Sequence, residues 1–409
     1  MRILLISNWF PPIISGSSYY TKSLAQALEA RGHDVVVVTL DWGTSAALEE
    51  ELPFPIYRLP VVRSPKLPVF YNLERMGFAF TPGNGRRLKE LVEKHRSQLL
   101  HCVNHIFDTS FLAVHVARTT KIPVVGSITT PVQHQNPWVQ RLYHLGDRLL
   151  LGRWGVSQWD GIVSLDQTVH EYVGRVYGRE AQERSVVIPF GVRLELQSDY
   201  QNASLERAKR PQILMVGHIH PFRNPSQLIR AMPHILAAVP DTRLVLAGRV
   251  DLQEPVRTAR ELGLSDKQVT FLGETPHSKA VELMKSSHVF ATWVTGPYPS
   301  LGTAPLEAML CGTPVVSDLP ENLFGEGLLK EGENIVLVDS ENPKSIAQDI
   351  VGLLRDEARR QKIGASGRRF VLKHLSWSRI AETMEGFYET ILKRKGELCY
   401  TTCDPIVLS

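Results

Sequence analysis

Short, continuously apolar runs alternate with segments of helical periodicity along this chain of 409 residues. A run that is apolar at every position is typical of a parallel strand covered by helices on both faces. The pattern therefore predicts an α/β fold with doubly wound parallel sheets. In chain order, the runs are RILLIS, DVVVVTL, QLLHCV, IPVVGSI, GIVSL, SVVIP, QILMVG, RLVLAG, QVTFLG, HVFATW, TPVVSD and NIVLV.

The first strand–helix unit is well marked in SGSSYYTKSLAQALEARGHDVVVV. Ser17 is a candidate N-cap, Leu24 and Leu28 share one helical face, and Gly32 is a stop signal. A second strand follows directly.

The apolar rhythm lapses between Gly191 and Gln212, after which the strand, loop and helix order begins again. We expect two Rossmann-like domains, residues 1–192 and 205–375, that face a central cleft, with a helix at 376–398 crossing back to the first domain. Ligands of such sheets bind beyond the carboxyl ends of the strands.

Composition narrows the class of protein. The chain is 43% hydrophobic and 22% charged, and its net charge of +4 includes no dense basic block of the kind that binds nucleic acid. The apolar run MRILLIS is too short for a signal peptide or a membrane span, so we expect a cytoplasmic protein whose membrane contact, if any, is peripheral. Scattered cysteines predict neither a disulfide framework nor a zinc site: they are Cys102, Cys311, Cys399 and Cys403.

Two loops at predicted strand ends could hold an anion. Ser15 and Gly16 lead into the first helix, whose initial amides have no partner within the helix. In VGHIHPFRNP, the residues His218, His220 and Arg223 precede a helix that begins near Pro225, which adds a cation to free amides. A solvated loop with an ordinary arginine is the alternative. No dinucleotide fingerprint and no Walker A sequence occurs.

A lone carboxylate marks the third loop, PYPSLGTAPLEAMLCGTPVVSD. Pro305 suits a first helical turn, and Glu307 is expected in that same turn, where it could accept hydrogen bonds from two hydroxyls of a ribose. A glutamate that only stabilises its own helix is the alternative.

Several blocks of the chain, in the same order, resemble the retaining GT-B glycosyltransferases of family 4, which transfer sugar from nucleotide donors. The resemblance covers nearly the whole chain, and its most specific blocks are NWFPPIISGSSYYTKSLAQALEARGHDVVVVT, VVIPFGV, ILMVGHIHPFRNPSQLIRA, VTFLGETPHSKAVELMKSSHVF, GTAPLEAMLCGTPVVSD and RRFVLKHLSWSRIAETM.

The resemblance implies roles for matching residues. Glu307 stands at the family's second glutamate of the E-x7-E motif, which holds the donor ribose, and Arg223 stands at the cation that neutralises the diphosphate. Thr275 falls near the edge that binds the base, and Gly16 at the loop facing the diphosphate. The donor-binding backbone corresponds to Gly217 and to Leu301, Gly302, Thr303 and Ala304.

This chain departs from the family pattern at three positions. Pro299 replaces the first glutamate of the motif, and His218 replaces an arginine. Thr129 replaces a histidine, although His134 could reach the cleft from the same loop. The resemblance assigns Arg223, His218 and Thr129 to the catalytic centre, with Arg223 and a protonated His218 stabilising charge on the departing phosphate.

Acceptor recognition is expected in the first domain, with His105 and His134 bordering the acceptor. The segments RSPKLPVFYNLERMGFAFTPGNGRRLKELVEK and WVQRLYHLGDRLLLGRWGVSQWDG mix basic and apolar residues, including Arg141, Arg148 and Arg153. Such a surface could meet lipid headgroups, whereas packed amphipathic helices produce the same pattern.

The leading hypothesis is a retaining transferase that moves sugar from a nucleotide diphosphate, UDP above all, to a hydroxyl of a glycan or lipid-linked glycan. No metal is expected, since amides and a cation already face the phosphates and no D-x-D pair is near. One alternative is a catalytically silent GT-B module that binds a nucleotide or a partner glycosyltransferase. A sugar-nucleotide epimerase ranks last, because Glu307 alone does not supply its acid–base groups.

Overall fold

Two parallel sheets organise the protein in a computed structural model, which describes residues 1–13, 15–43, 52–64, 76–134, 136–192 and 208–397. The first sheet has seven strands in the order β3-β2-β1-β6-β7-β8-β9, and the second has six in the order β12-β11-β10-β13-β14-β15. A small antiparallel pair, β4 with β5, is separate. The strands are β1 (Arg2–Ser7), β2 (Asp34–Asp41), β3 (Ile56–Pro60), β4 (Val62–Ser64), β5 (Met76–Phe78), β6 (Leu99–Val103), β7 (Val124–Ile128), β8 (Gly161–Ser164), β9 (Ser185–Val187), β10 (Gln212–Val216), β11 (Arg243–Ala247), β12 (Val269–Gly273), β13 (Val289–Ala291), β14 (Val315–Ser317) and β15 (Val336–Leu337).

Helices cover both faces of each sheet. A π turn, Asp147–Gly152, continues α4, and a short 3₁₀ turn, Val156–Gln158, follows it. The α-helices are α1 (Gly16–Glu29), α2 (Pro82–Lys94), α3 (Thr109–Thr120), α4 (Pro137–Gly146), α5 (Gln167–Tyr177), α6 (Arg179–Glu183), α7 (Ser226–Ala238), α8 (Glu254–Glu261), α9 (His277–Ser286), α10 (Thr303–Leu310), α11 (Pro343–Arg355), α12 (Glu357–His374) and α13 (Trp377–Glu397).

Alternation along the strands explains the two-sided cores. In β1, Leu4 and Ile6 pack into one apolar layer, whereas Ile3 and Leu5 pack into the layer on the opposite face. Because both faces are buried, both sets of alternate positions from Ile3 to Ile6 are apolar. The doubly wound α/β fold predicted from the continuous apolar runs is confirmed.

All twelve strands expected from the sequence are present, and the described part of the chain contains three more that the sequence analysis missed. The missed strands are β3, at the edge of the first sheet, and the two strands of the small antiparallel pair. Edge strands are covered less completely, so β3 lacks the continuous apolar run of a central strand. The sequence therefore predicts the central strands of both sheets correctly and misses strands at the edge of the fold.

The start of α1 differs from the sequence prediction. Ser15, rather than Ser17, is the N-cap, and its side chain accepts a hydrogen bond from the amide of Ser18 at 3.1 Å. Ser17 is buried inside the first turn, where its carbonyl accepts from the Thr21 hydroxyl. The helix begins two residues before the predicted position, at Gly16.

The last helix packs on the first domain. Trp377, Ile380, Met384 and Tyr388 of α13 belong to the apolar layer that also contains β1 and α1. The Tyr388 hydroxyl and the Nδ1 of buried His101 lie 2.5 Å apart. The last described helix is therefore packed against the first strand and the first helix of the chain. No described helix is long and apolar enough to cross a bilayer.

Candidate functional site

The order of the second sheet determines where its loops meet. The chain runs outward from β10 to β12 on one side, then returns to β13 on the other side of β10. At such a switch point the loops leave in opposite directions and open a crevice beyond the strand ends. The loop after β10 carries Gly217, His218 and Arg223, and the loop after β13 leads to α10.

Arg223 lies between these two loops. A Cβ added to Gly217 would lie 2.4 Å from its Nη1, and one added to Gly302 would lie 3.6 Å from its Nη2. Its Nε is shielded from solvent and has no hydrogen-bond partner, and within the described residues no carboxylate pairs with it. Burial lowers the pKa of Arg223, although a guanidinium stays charged at neutral pH. The result is a cation held beside a helix start without a counter-ion.

The helix that faces Arg223 begins at Thr303, two residues before Pro305. Gly302 is the N-cap of α10, Pro305 is in the first turn, and Glu307 is the fifth helical residue. The prediction that Glu307 lies in the first turn is therefore wrong. Its carboxylate is 13% exposed and receives a hydrogen bond from His277 Nε2 of α9 at 3.1 Å. No local pattern pointed to His277, because it is thirty positions from Glu307 in the chain.

The pKa values of His218 and His220 are both lowered, which favours the neutral forms of the two side chains. Burial, followed by the nearby guanidinium of Arg249, lowers the pKa of His218. Burial and then Arg223 lower the pKa of His220 to about 4. The expectation of a protonated His218 is therefore corrected: Arg223 is the cation of this loop.

The remaining predicted donor residues occupy strand or helix ends. Thr275 follows β12, and its hydroxyl donates to the carbonyl of Gly273 at 3.0 Å. Gly16 is the exposed first residue of α1, with no protein atom within 4 Å of an added Cβ. Thr129 follows β7, and its buried Oγ1 has no hydrogen-bond partner in the described chain. Leu301 is buried, whereas Thr303 is exposed.

The two predicted acceptor histidines differ in exposure. His105 is fully buried, with its Nε2 3.4 Å from the Tyr172 hydroxyl and 3.8 Å from Asp147 Oδ2. This position argues against direct contact with an acceptor. His134 is half-buried on the loop after β7, and its Nδ1 accepts from the Asn136 amide at 3.0 Å.

Residues 297–300, which precede α10, contact the first domain, and sequence reasoning missed this contact. Tyr298 is 2% exposed, and its hydroxyl lies 3.1 Å from His144 Nε2. Its ring packs edge-on against Tyr172, with the guanidinium of Arg175 5.6 Å from its centre. The carbonyl of Pro299, at the position of the family's first glutamate, accepts from Thr168 at 3.1 Å. The loop leading to α10 is thus anchored by the opposite domain.

Asp166, beside this contact, should make stability depend on pH. It caps α5 through the Val169 amide at 2.9 Å, and its Oδ1 also accepts from the Thr168 hydroxyl at 2.8 Å. Burial raises its pKa to about 6. Between pH 4 and 6 the folded state therefore binds more protons than the unfolded state, so this group lowers stability as pH rises.

We expect Asp166→Asn, which keeps a capping oxygen, to be close to wild type at pH 4. At pH 7 it should be more stable by up to about 2 to 3 kcal/mol, since no charge is then buried. Denaturant unfolding of both proteins across this range measures the difference. A difference that stays constant with pH would contradict the assignment of a raised pKa.

No cluster of three or more His, Cys, Asp or Glu side chains that could hold a metal ion occurs among the described residues. Cys102 and Cys311 are buried, and the tail with Cys399 and Cys403 lies outside the described residues.

Family models match both halves of the chain. Residues 14–196 match Glycosyltransferase Family 4, and residues 197–370 match Glycosyl transferases group 1. The molecule is therefore a glycosyltransferase of the GT-B fold, built from a family 4 domain followed by a group 1 domain.

Relatives of nearly equal length support this assignment. The chain is 25% identical over 403 residues to a phosphatidyl-myo-inositol mannosyltransferase of Mycobacterium leprae, covering 96% of this chain and 97% of the relative. It is 23% identical over 422 residues to a glycogen synthase of Mycobacterium tuberculosis, covering 97% and 96%. The crystal structure of Anabaena HepE with UDP and glucose has a TM-score of 0.69 at 18% identity, covering 95% of this chain and all of that one.

Proposed function

We propose that the protein is a retaining glycosyltransferase that uses a UDP-sugar, and that the acceptor is a hydroxyl of a glycan or lipid-linked glycan. The observation that carries this proposal is the uncompensated Arg223 beside the start of α10. A diphosphate supplies the counter-charge that this guanidinium lacks, and the free amides of the helix start add donors. The UDP in HepE, a protein of the same fold, favours uridine as the base.

In the proposed site, different predicted residues bind the diphosphate, the ribose and the base of the donor. Arg223, with the backbone of Gly217 and Leu301 to Ala304, binds the diphosphate. Glu307 accepts from the ribose hydroxyls once the donor displaces or joins His277, and Thr275 lies near the base. Gly16 leaves open space for the phosphates on the first domain. Thr129 and His134 lie on the loop that would face the transferred sugar and acceptor.

In the proposed reaction the bond between the anomeric carbon and the diphosphate oxygen breaks as the acceptor oxygen bonds to the same face of the sugar. The acceptor proton passes to the departing diphosphate, so no protein nucleophile is needed. Arg223 and the amides of α10 stabilise the negative charge that grows on the leaving oxygen. These donors make a metal unnecessary in the proposal. With Pro299 in place of a glutamate, the sugar hydroxyls are held by backbone groups of this loop.

We also propose domain limits of 1–192 and 205–375, with 376–398 returning to the first domain. The two matched families meet at residues 196 and 197, close to this division. The few and scattered cysteines favour action in the cytoplasm.

A test of the donor site combines Glu307→Ala with a modified ligand. Loss of hydrogen bonds from two hydroxyls to a carboxylate should weaken UDP binding about tenfold to a hundredfold, as measured by calorimetry. The same variant should bind 2′-deoxy-UDP with little further loss, since the hydroxyl and its acceptor act as a pair. His277→Ala is the matched control, because it leaves the carboxylate in place and should retain affinity.

Unchanged UDP affinity in Glu307→Ala would remove Glu307 from the site. Screening UDP, GDP and ADP sugars first establishes the base. Turnover of a labelled donor then separates an active transferase from a silent nucleotide-binding module, which would bind UDP without consuming donor.

A further inference from the structure

One helical segment of the first domain presents apolar side chains to solvent. In α4 and the π turn that continues it, Trp138, Leu142, Leu145 and Leu149 are spaced by four, three and four residues, which places them on one helical face. Their exposed fractions are 73%, 66%, 52% and 53%. We call these four residues the outer stripe. Leu150 and Trp154, exposed at 64% and 62%, extend it beyond the π turn.

The polar side chains of the same segment point inward. Gln140 and Asp147 are buried, and His144 is half-buried. The amide nitrogen of Gln140 donates to the Val132 carbonyl at 3.1 Å, and Asp147 accepts from the Tyr177 hydroxyl at 2.6 Å. These bonds fix the rotation of the helix, so the outer stripe cannot turn into the core. The segment is amphipathic with its apolar side outward, which is the reverse of an ordinary surface helix.

The charged side chains that this segment itself exposes are all positive. Arg141, Arg148 and Arg153 are exposed, and Asp147, the only acid between residues 137 and 158, is buried. The Arg141 guanidinium lies 5.0 Å from the centre of the Trp138 ring, and that of Arg153 lies 5.7 Å from the Trp154 ring. Tryptophan with arginine beside exposed leucines is the composition of a helix that lies in the headgroup region of a bilayer.

We propose that the outer stripe, with its flanking arginines, docks the protein on the surface of an anionic phospholipid bilayer. The leucines and tryptophans enter the boundary of the acyl chains, and the arginines pair with lipid phosphates. At ten residues, α4 is about 15 Å long, half of the hydrocarbon thickness, so it lies along the surface.

The positive charge around the outer stripe disfavours a second copy of this chain as its partner. A two-fold contact between copies of this chain would bring the same three arginines close to their equivalents in the other copy, with no exposed acid in the segment to balance them. Ordinary internal packing, the alternative kept open by the sequence, is wrong for these side chains because they are exposed. An anionic lipid surface satisfies the apolar and the basic residues together.

The position of the face agrees with a reaction at a membrane. Segment 137–154 begins just after the loop that carries Thr129 and His134, and His144 on its inner side contacts Tyr298 of the donor domain. Docking here would bring the mouth of the cleft close to headgroups, where a lipid-borne hydroxyl is presented. The docking itself does not depend on the proposed transfer reaction.

Vesicle flotation with the full chain tests the proposal. We expect the protein to float with vesicles of equimolar phosphatidylcholine and phosphatidylglycerol, and to stay largely unbound with phosphatidylcholine alone. Arg141→Gln with Arg148→Gln should lower the partition coefficient about 30-fold, from about fivefold for each arginine. Leu145→Gln with Leu149→Gln should lower binding at least as much, and added salt should weaken wild-type binding.

Matched control variants test whether the loss of vesicle binding is specific to the outer stripe and its flanking arginines. Lys267→Gln with Lys362→Gln removes two exposed charges elsewhere, and Leu262→Gln removes an exposed leucine at the end of α8. Both should float as wild type does. Thermal unfolding and UDP binding, measured on every variant, exclude misfolding and report the donor site separately.

Three outcomes would overturn the proposal. These are absence of wild-type flotation with anionic vesicles, equal losses in the control variants, and a dimer in solution that the leucine pair abolishes while flotation persists. The last result would assign the face to a second copy of the chain.

Discussion

Replacing Arg223 with alanine is expected to lower kcat/KM for the nucleotide sugar by about a hundredfold to a thousandfold. The side chain is the only cation that the structure places between Gly217 and the N-cap of α10, among the described residues, and no carboxylate competes for it. It therefore gains a partner when the diphosphate binds, and a stronger one as charge develops on the leaving oxygen. Steady-state kinetics with the donor identified in the screen measures the loss.

Arg223→Lys is the matched control for charge. Lysine keeps the positive charge but not the planar fork, so we expect an activity between wild type and alanine, with a larger effect on kcat than on UDP affinity. If alanine retains wild-type kcat/KM, the leaving phosphate is stabilised elsewhere and the site is misassigned.

Gly248→Ala should produce the largest loss of stability among the single changes considered, about 3 kcal/mol in the free energy of unfolding. Gly248 has a φ of 149°, and an added Cβ would lie 2.1 Å from the carbonyl oxygen of Gly217. Backbone cannot yield as a flexible side chain does, so the loop after β10 must move. Because that loop carries Arg223, UDP affinity should fall together with stability.

Gly263→Ala separates the cost of backbone strain at a positive φ from the cost of the steric clash with Gly217. This glycine also has a positive φ, 67°, but nothing lies within 4 Å of an added Cβ. We expect a cost of only about 1 kcal/mol from backbone strain, with unchanged UDP affinity. Denaturant unfolding and calorimetry compare the pair, and equal losses in both variants would show that the contact with Gly217 is unimportant.

The sequence was sufficient for the central architecture because burial on both faces makes most positions of an inner strand apolar, and the buried polar exceptions, such as His101, are few enough to leave the pattern visible. It was insufficient at β3, β4 and β5, whose positions are only partly covered. The cap of α1 was displaced by two residues because Ser15, Ser17 and Ser18 offer similar local chemistry, and only the three-dimensional contact selects one.

For the candidate site, the sequence predicted which residues lie near the strand ends better than it predicted their ionisation and their side-chain contacts. Arg223 and Gly302 are brought together, as the loop pattern suggested. Local pattern did not reveal the lowered pKa of His218, which results from burial and from Arg249, or the contact of Glu307 with His277. The outward orientation of the stripe on α4 likewise depends on the contact of Gln140 with the Val132 carbonyl and on that of Asp147 with Tyr177, which is thirty residues away.

The contact made by Tyr298 has a consequence for how the enzyme opens. Its ring belongs to the second domain but is enclosed among first-domain aromatic groups, at 2% exposure. Spreading the domains must withdraw this ring into water, at a cost of about 2 kcal/mol from its apolar area alone. We therefore expect the enzyme without substrate to favour the closed arrangement of its two domains. Release of the product would then require the Tyr298 ring to leave its contact with the first domain.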